Sequence, residues 1–153
     1  MRIIIGIILL IISVLIGCGL ARKFTKRREF FNSFKDFNLI IQREISYSQS
    51  SIPKLLSSIE NNDDFYKCIK RYYTNKEFYF ESTYLNSQEL NFFKQYLMQI
   101  GKSDKTSQGK LIESMGEQLS EKLSVATELE QKYKSLYIKL SVLIGLIAFI
   151  VCL

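Results

Sequence analysis

The sequence predicts an all-α protein: an antiparallel helical bundle built on two long helices that continue into N- and C-terminal transmembrane segments, with shorter helices between. Three observations carry that expectation. Apolar stretches occupy both ends of the 153 residues, at 3–20 and 140–153. Between them apolar residues recur at intervals of three and four, the period of one helix face. One proline and seven glycines are all that punctuate the chain, most of the glycines lying at its ends or at breaks in the pattern. The expected organisation is a transmembrane helix over 3–21, a cytoplasmic helical bundle over 22–136 and a second transmembrane helix over 137–153. The middle, roughly 115 residues, suffices for a small bundle.

The first helix begins in the run IIIGIILLIISV, followed by LIGCGL at 15–20. Taken alone, LIGCGL resembles a lipoprotein signal with Cys18 as the lipid-bearing residue. The flanking charge argues against export. Arg22, Lys23, Lys26, Arg27 and Arg28 with Arg2 supply the whole net charge of +6, since the other 15 basic residues equal the 15 acidic ones. Moving five of these charges across a membrane opposes the strong preference for cytoplasmic Lys and Arg. Eighteen helical residues rise about 27 Å, close to the hydrocarbon thickness. The segment therefore reads as an uncleaved anchor with its N-terminus outside. The same location argues against a nucleic-acid patch and for anionic headgroups.

Past the anchor, Phe30, Phe34, Phe37, Ile41 and Ile45 form one helical stripe. The helix ends near Glu44–Ser48, and SQSSIPKLL starts a short helix over 52–59, with Pro53 in its first turn. Asp63 or Asp64 opens the next, FYKCIKRYYTNK. EFYFESTYL reads as a helix end and loop that sends aromatic side chains into the core. Asn86 and Glu89 form a capping-box start for SQELNFFKQYLMQ, and Gly101 suits a left-handed stop.

The last helix opens at Ser103 or Asp104. Ile112, Met115, Leu119, Leu123, Ala126, Leu129, Tyr133, Leu136 and Leu140 sustain a coiled-coil-grade stripe along it. Gly109 and Gly116 weaken it by about 1 kcal/mol each relative to Ala. Residues 140–153 span only about 21 Å, so the anchor starts at Tyr137 and Lys139 snorkels to the surface. A packed core helix is the alternative for so short a run. Lys132, Lys134 and Lys139 precede it and no charge follows. Both basic flanks thus place the middle in the cytoplasm and both termini outside.

Chemistry is sparse. There is no His, and Cys18, Cys68 and Cys152 are far apart in sequence, so no cofactor, metal or nucleophilic catalyst is expected. IGKS at 100–103 lacks the glycine that a phosphate loop needs five residues earlier, where Tyr96 stands. The pairs Asp63/Asp64 and Glu113/Glu117 read as solvated helix surface. A non-enzymatic interaction protein is what remains.

Two segments, EISYSQSSIPKLL at 44–56 and LNSQELNFF through IGKSDKTSQGKLI to the end, resemble the stage III sporulation protein AB family. The resemblance lies in their order and spacing: two anchors, a basic flank, a Pro-led helix and a Gly-Lys-Ser-Asp-x-x-x-Gln break. It implies a component of the channel complex between mother cell and forespore, in the mother-cell membrane around the forespore. It also implies a helical domain similar to the F-type inner-membrane platform of type II secretion systems, with a secretion-type ATPase among its partners. The matching positions are Glu44, Tyr47, Pro53, Gly101, Ser103, Asp104 and Gln108. Capping explains Tyr47 and Gln108 least, which makes them the better candidates for partner contact. The alternative is a membrane-anchored regulatory or scaffolding protein unrelated to transport. Neither nucleic acid nor a small-molecule substrate is expected as a partner.

Overall fold

The computed structural model describes residues 2–47, 54–56, 59, 63–75, 78, 80, 82–102 and 104–152. Among the described residues four long helices follow one another: α1 (Arg2–Tyr47), α2 (Asp64–Asn75), α3 (Ser87–Gln99) and α4 (Lys105–Val151). A helical turn at 54–56 belongs to the short helix expected over 52–59, most of which, Pro53 included, lies outside the described residues. No strand occurs among the described residues. The chain divides into two compact units, Met1–Arg28 with Val125–Leu153, and Glu29–Ser124. The long helices α1 and α4 each run through both.

The first unit is an antiparallel helix pair. Leu10 lies against Gly145, Ser13 donates to the Ser141 carbonyl at 2.6 Å, and Phe24 stacks on Tyr133 and Tyr137. Each step up α1 meets a step down α4, so one register holds along the pair. Its seam is made of small residues. Gly17, Ala21, Ser141 and Gly145 are buried, and a Cβ on Gly17 would collide with the Ser141 side chain. Large apolar residues point outward instead, Leu15 being 65% exposed and Leu143 55%. Only 11% of each 18-residue apolar window is buried, the opposite of a soluble core helix. This arrangement suits a lipid environment, where close backbone approach rather than apolar burial joins helices. The chain is accordingly membrane-associated through its two apolar helices.

The α4 stripe predicted through Leu136 and Leu140 leaves both about half exposed, at 52% and 47%. Burial passes instead through Ala126, Glu130 and Ser141. Among lipid the apolar side chains lose nothing by facing out, so the smaller residues take the seam.

The second unit surrounds an aromatic core. Phe30, Phe34 and Phe37 of α1 meet Phe65 of α2, and the ring of Phe34 stands edge-on to Tyr96 of α3 at 4.7 Å. Such edge contacts add about 0.5–1.5 kcal/mol beyond the area they bury. Ile112 and Leu119 close the core from α4, both fully buried. The loop before α3 contributes aromatic rings as expected: Phe78 and Phe80 pack on Phe93, and Tyr84 on Phe30.

Polar groups fix how these helices meet. Asn38 of α1 is 2% exposed; its Nδ2 donates to the Ile112 carbonyl and its Oδ1 accepts from the Tyr96 hydroxyl, both at 3.0 Å. One amide thus ties α1, α3 and α4 together. Gly116 gives it room, since a Cβ there would press on Asn38 Nδ2 at 3.0 Å. Asp63 and Asp64 are half-buried rather than solvated surface. Asp63 caps α2 by accepting the Tyr66 N–H at 3.0 Å and also accepts from Ser33, while Asp64 accepts from the Tyr84 hydroxyl at 3.0 Å. Both carboxylates anchor neighbouring elements.

Candidate functional site

The most concentrated polar chemistry lies within the first unit, where its basic residues gather. Arg22, Lys23 and Lys26 are exposed, and Arg27 is half-buried. Lys132 holds its ammonium over the Tyr133 ring, 5.5 Å from the centroid, and Lys139 is exposed. Arg28 and Lys134 do something different. They converge from α1 and α4 on Glu130, whose side chain is only 11% exposed. Oε1 of Glu130 accepts from Thr25 at 2.8 Å and from Lys134 at 3.2 Å, and Oε2 pairs with Arg28 Nε. The Arg28 Nε–H makes no hydrogen bond with it, so that contact is an ion pair.

Burial by itself raises the Glu130 pKa. The Thr25 and Lys134 hydrogen bonds and the charges of Arg28 and Lys134 outweigh it, and the carboxyl sits below its ordinary value. Glu130 is therefore ionised at neutral pH. A lone buried carboxylate would be strongly unfavourable, and its two cations compensate it. Phe24, Tyr133 and Tyr137 stack beside this cluster, with centroids 5.4–6.3 Å apart. Aromatic side chains at this position suit the headgroup layer.

The positions drawn from the family resemblance fall at two helix corners. Glu44 is half-buried near the end of α1, and its Oε2 is enclosed with no hydrogen-bond partner among the described residues. Tyr47 ends α1, its side chain lying outside the described residues, as do Pro53 and Ser103. Gly101 terminates α3 with φ 79°, the left-handed stop expected of it. Asp104 caps α4 by accepting the Ser107 N–H at 3.1 Å, and its bonds with Ser107 lower its pKa. Gln108 is 4% exposed and its Oε1 accepts the Gly101 N–H at 3.1 Å, so its side chain braces the α3–α4 corner from within. Asp104 and Gly101 are exposed at that corner.

Sequence reading missed Glu130, Thr25 and the small-residue seam. The seam had a signal, small residues four apart at Gly17/Ala21 and Ser141/Gly145. Glu130 had none, being one of several acids on a helix rich in them. Cys68 is buried on α2, and burial pushes its thiol up to about 12, so it offers no thiolate. Among the described residues no group of three His, Cys, Asp or Glu side chains is placed to hold a metal ion.

The family model described as stage III sporulation protein AB matches residues 2–72 and 59–153. The chain belongs to this family, and with it has a role in sporulation. No curated protein and no solved structure matches it.

Proposed function

We propose that this protein is a non-enzymatic platform of the sporulation channel complex in the mother-cell membrane around the forespore, and that its Glu29–Ser124 unit docks a secretion-type ATPase in the cytoplasm. The observation that carries this reading is the distribution of charge. Arg22, Lys23, Lys26, Arg27, Arg28, Lys132, Lys134 and Lys139 all gather where the apolar parts of α1 and α4 adjoin the rest of the chain. Beyond them toward either terminus only Arg2 is charged. The preference for cytoplasmic Lys and Arg then puts residues 29–124 inside the cell and both termini outside. A helical unit held at the membrane on two anchors presents corners and helix faces to soluble partners. The corners carrying Glu44, Tyr47 and Pro53, and Gly101, Ser103 and Asp104, the second braced from within by buried Gln108, are the candidate docking positions.

Site-specific crosslinking from Tyr47 and Asp104 in sporulating cells tests the assignment. Adducts with the ATPase support it. Adducts confined to other proteins, or normal spores from cells lacking the protein, would favour the regulatory or scaffolding alternative.

A further inference from the structure

We infer that Arg28 and Lys134 grip the phosphodiester of an anionic phospholipid at the neck of the helix pair, with Glu130 as the positioning residue that sets the two cations. The inference rests on the reading that this unit lies in a membrane. Glu130 is used up within the chain, but its partners are not. Lys134 has three donors, makes a single hydrogen bond to Glu130, and its side chain is 49% exposed. Arg28 engages through Nε while its side chain is 37% exposed, which leaves both terminal amino groups for a second ligand. Neither has another ion pair among the described residues. Because both cations meet one carboxylate, they stand close enough to share one phosphate. Two positive groups against one negative leave an excess of one charge there.

A groove of about 510 Å³ opens on the Lys134 side of the cluster, lined from α4 alone by Glu130, Gln131, Lys134, Ser135, Ile138 and Lys139. Along it the lining passes from Glu130 and Lys134 to Ile138. The exposed apolar surface of Val142 and Leu146, four and eight residues past Ile138, lies just beyond on the same helix face. A headgroup at the charged end therefore has somewhere to run its acyl chain. An acidic protein segment would match the charges but not the apolar wall. A choline headgroup would bring its own cation against Lys139, so the site selects a net negative lipid.

The test uses the full-length protein in detergent with phosphatidylglycerol or phosphatidylcholine, counting retained lipids by native mass spectrometry. Retention of phosphatidylglycerol over phosphatidylcholine by about tenfold is expected, the scale of a charge-assisted pair. Glu130→Gln is the informative variant. It makes the neck more positive, so simple neutralisation by Glu130 predicts stronger retention, whereas positioning predicts a several-fold loss. Arg28→Lys keeps the charge and removes the planar fork, and the same loss is expected even if Glu130→Gln fails to fold. Lys94→Gln, an exposed charge on α3, should leave retention unchanged.

Equal or stronger retention by Glu130→Gln, or an equal loss in Lys94→Gln, would overturn the inference. So would displacement of the lipid by millimolar inorganic phosphate, which would make the ligand a soluble anion, or by an acidic peptide. Lipid indifference in a protein that resists alkaline extraction from membranes would overturn this site and leave the membrane reading standing. Release from the membrane would remove both.

Discussion

Replacing Asn38 by Ala tests how the second unit is held together. The side chain is 2% exposed and makes two bonds, to the Ile112 carbonyl and from the Tyr96 hydroxyl, each 3.0 Å long. Its loss strands the buried Tyr96 hydroxyl, which costs about 1–3 kcal/mol, and removes a second bond to the Ile112 carbonyl, which keeps its helical partner within α4. The space of the missing amide adds a smaller cavity penalty. The expected loss is about 2–4 kcal/mol, with the lower end reached if water enters. Tyr96→Phe leaves only Asn38 Oδ1 unpaired and should lose about 1–2 kcal/mol. Because the chain has two units, a single global unfolding energy is ill-defined. Hydrogen exchange of the α3 amides around Tyr96 in the full-length protein reports the local opening energy instead. A loss below 1 kcal/mol for Asn38→Ala, or equal losses for the two variants, would refute the three-helix tie.

The seam of the first unit gives a paired prediction: Gly17→Leu should slow disulfide formation between cysteines placed at 13 and 141 by about tenfold, since small residues set the approach of the helices. Gly19→Leu should leave it unchanged, because a Cβ at Gly19 meets nothing within 4 Å. Glu130 gives a pH dependence. Its folded pKa is lowered, so its stabilisation is full above the ordinary carboxylate value of about 4.3 and is lost as pH falls through the lower folded value. Protection of the α4 amides around Glu130 against hydrogen exchange should fall over that acid range in the parent and not in Glu130→Gln. Gly101→Ala forces a side chain to φ 79° and should raise hydrogen exchange at the end of α3, at a cost of about 1 kcal/mol. Gly101→Asn should be milder.

The helical architecture was legible because each element carried its own local signal. The capping box of Asn86 and Glu89 is present with bonds of 2.8 and 3.0 Å, and Gly101 stops the helix they start. Phe30, Phe34, Phe37 and Ile41 are all buried, as their spacing required. The same stripe omitted Phe31 and Asn38, which are buried just as deeply because α1 is covered on more than one side in its second half. Periodicity assigns a face to a helix but not the width of what covers it. On α4 the apolar stripe pointed to Leu136 and Leu140, which face outward, because the rule that apolar means inside reverses in lipid. The basic flanks were legible by charge counting. Glu130 was not, since its role depends on Thr25 and Arg28, more than a hundred residues away.

The central claim is a two-anchor membrane protein whose Glu29–Ser124 unit faces the cytoplasm, and thiol labelling tests it most directly. Thr83 is exposed in that unit, and Thr83→Cys gives a reporter site. In intact cells a membrane-impermeant maleimide should add no label to this variant beyond that of the parent chain, and should label it fully after lysis. Full labelling of Thr83→Cys in intact cells would contradict the account.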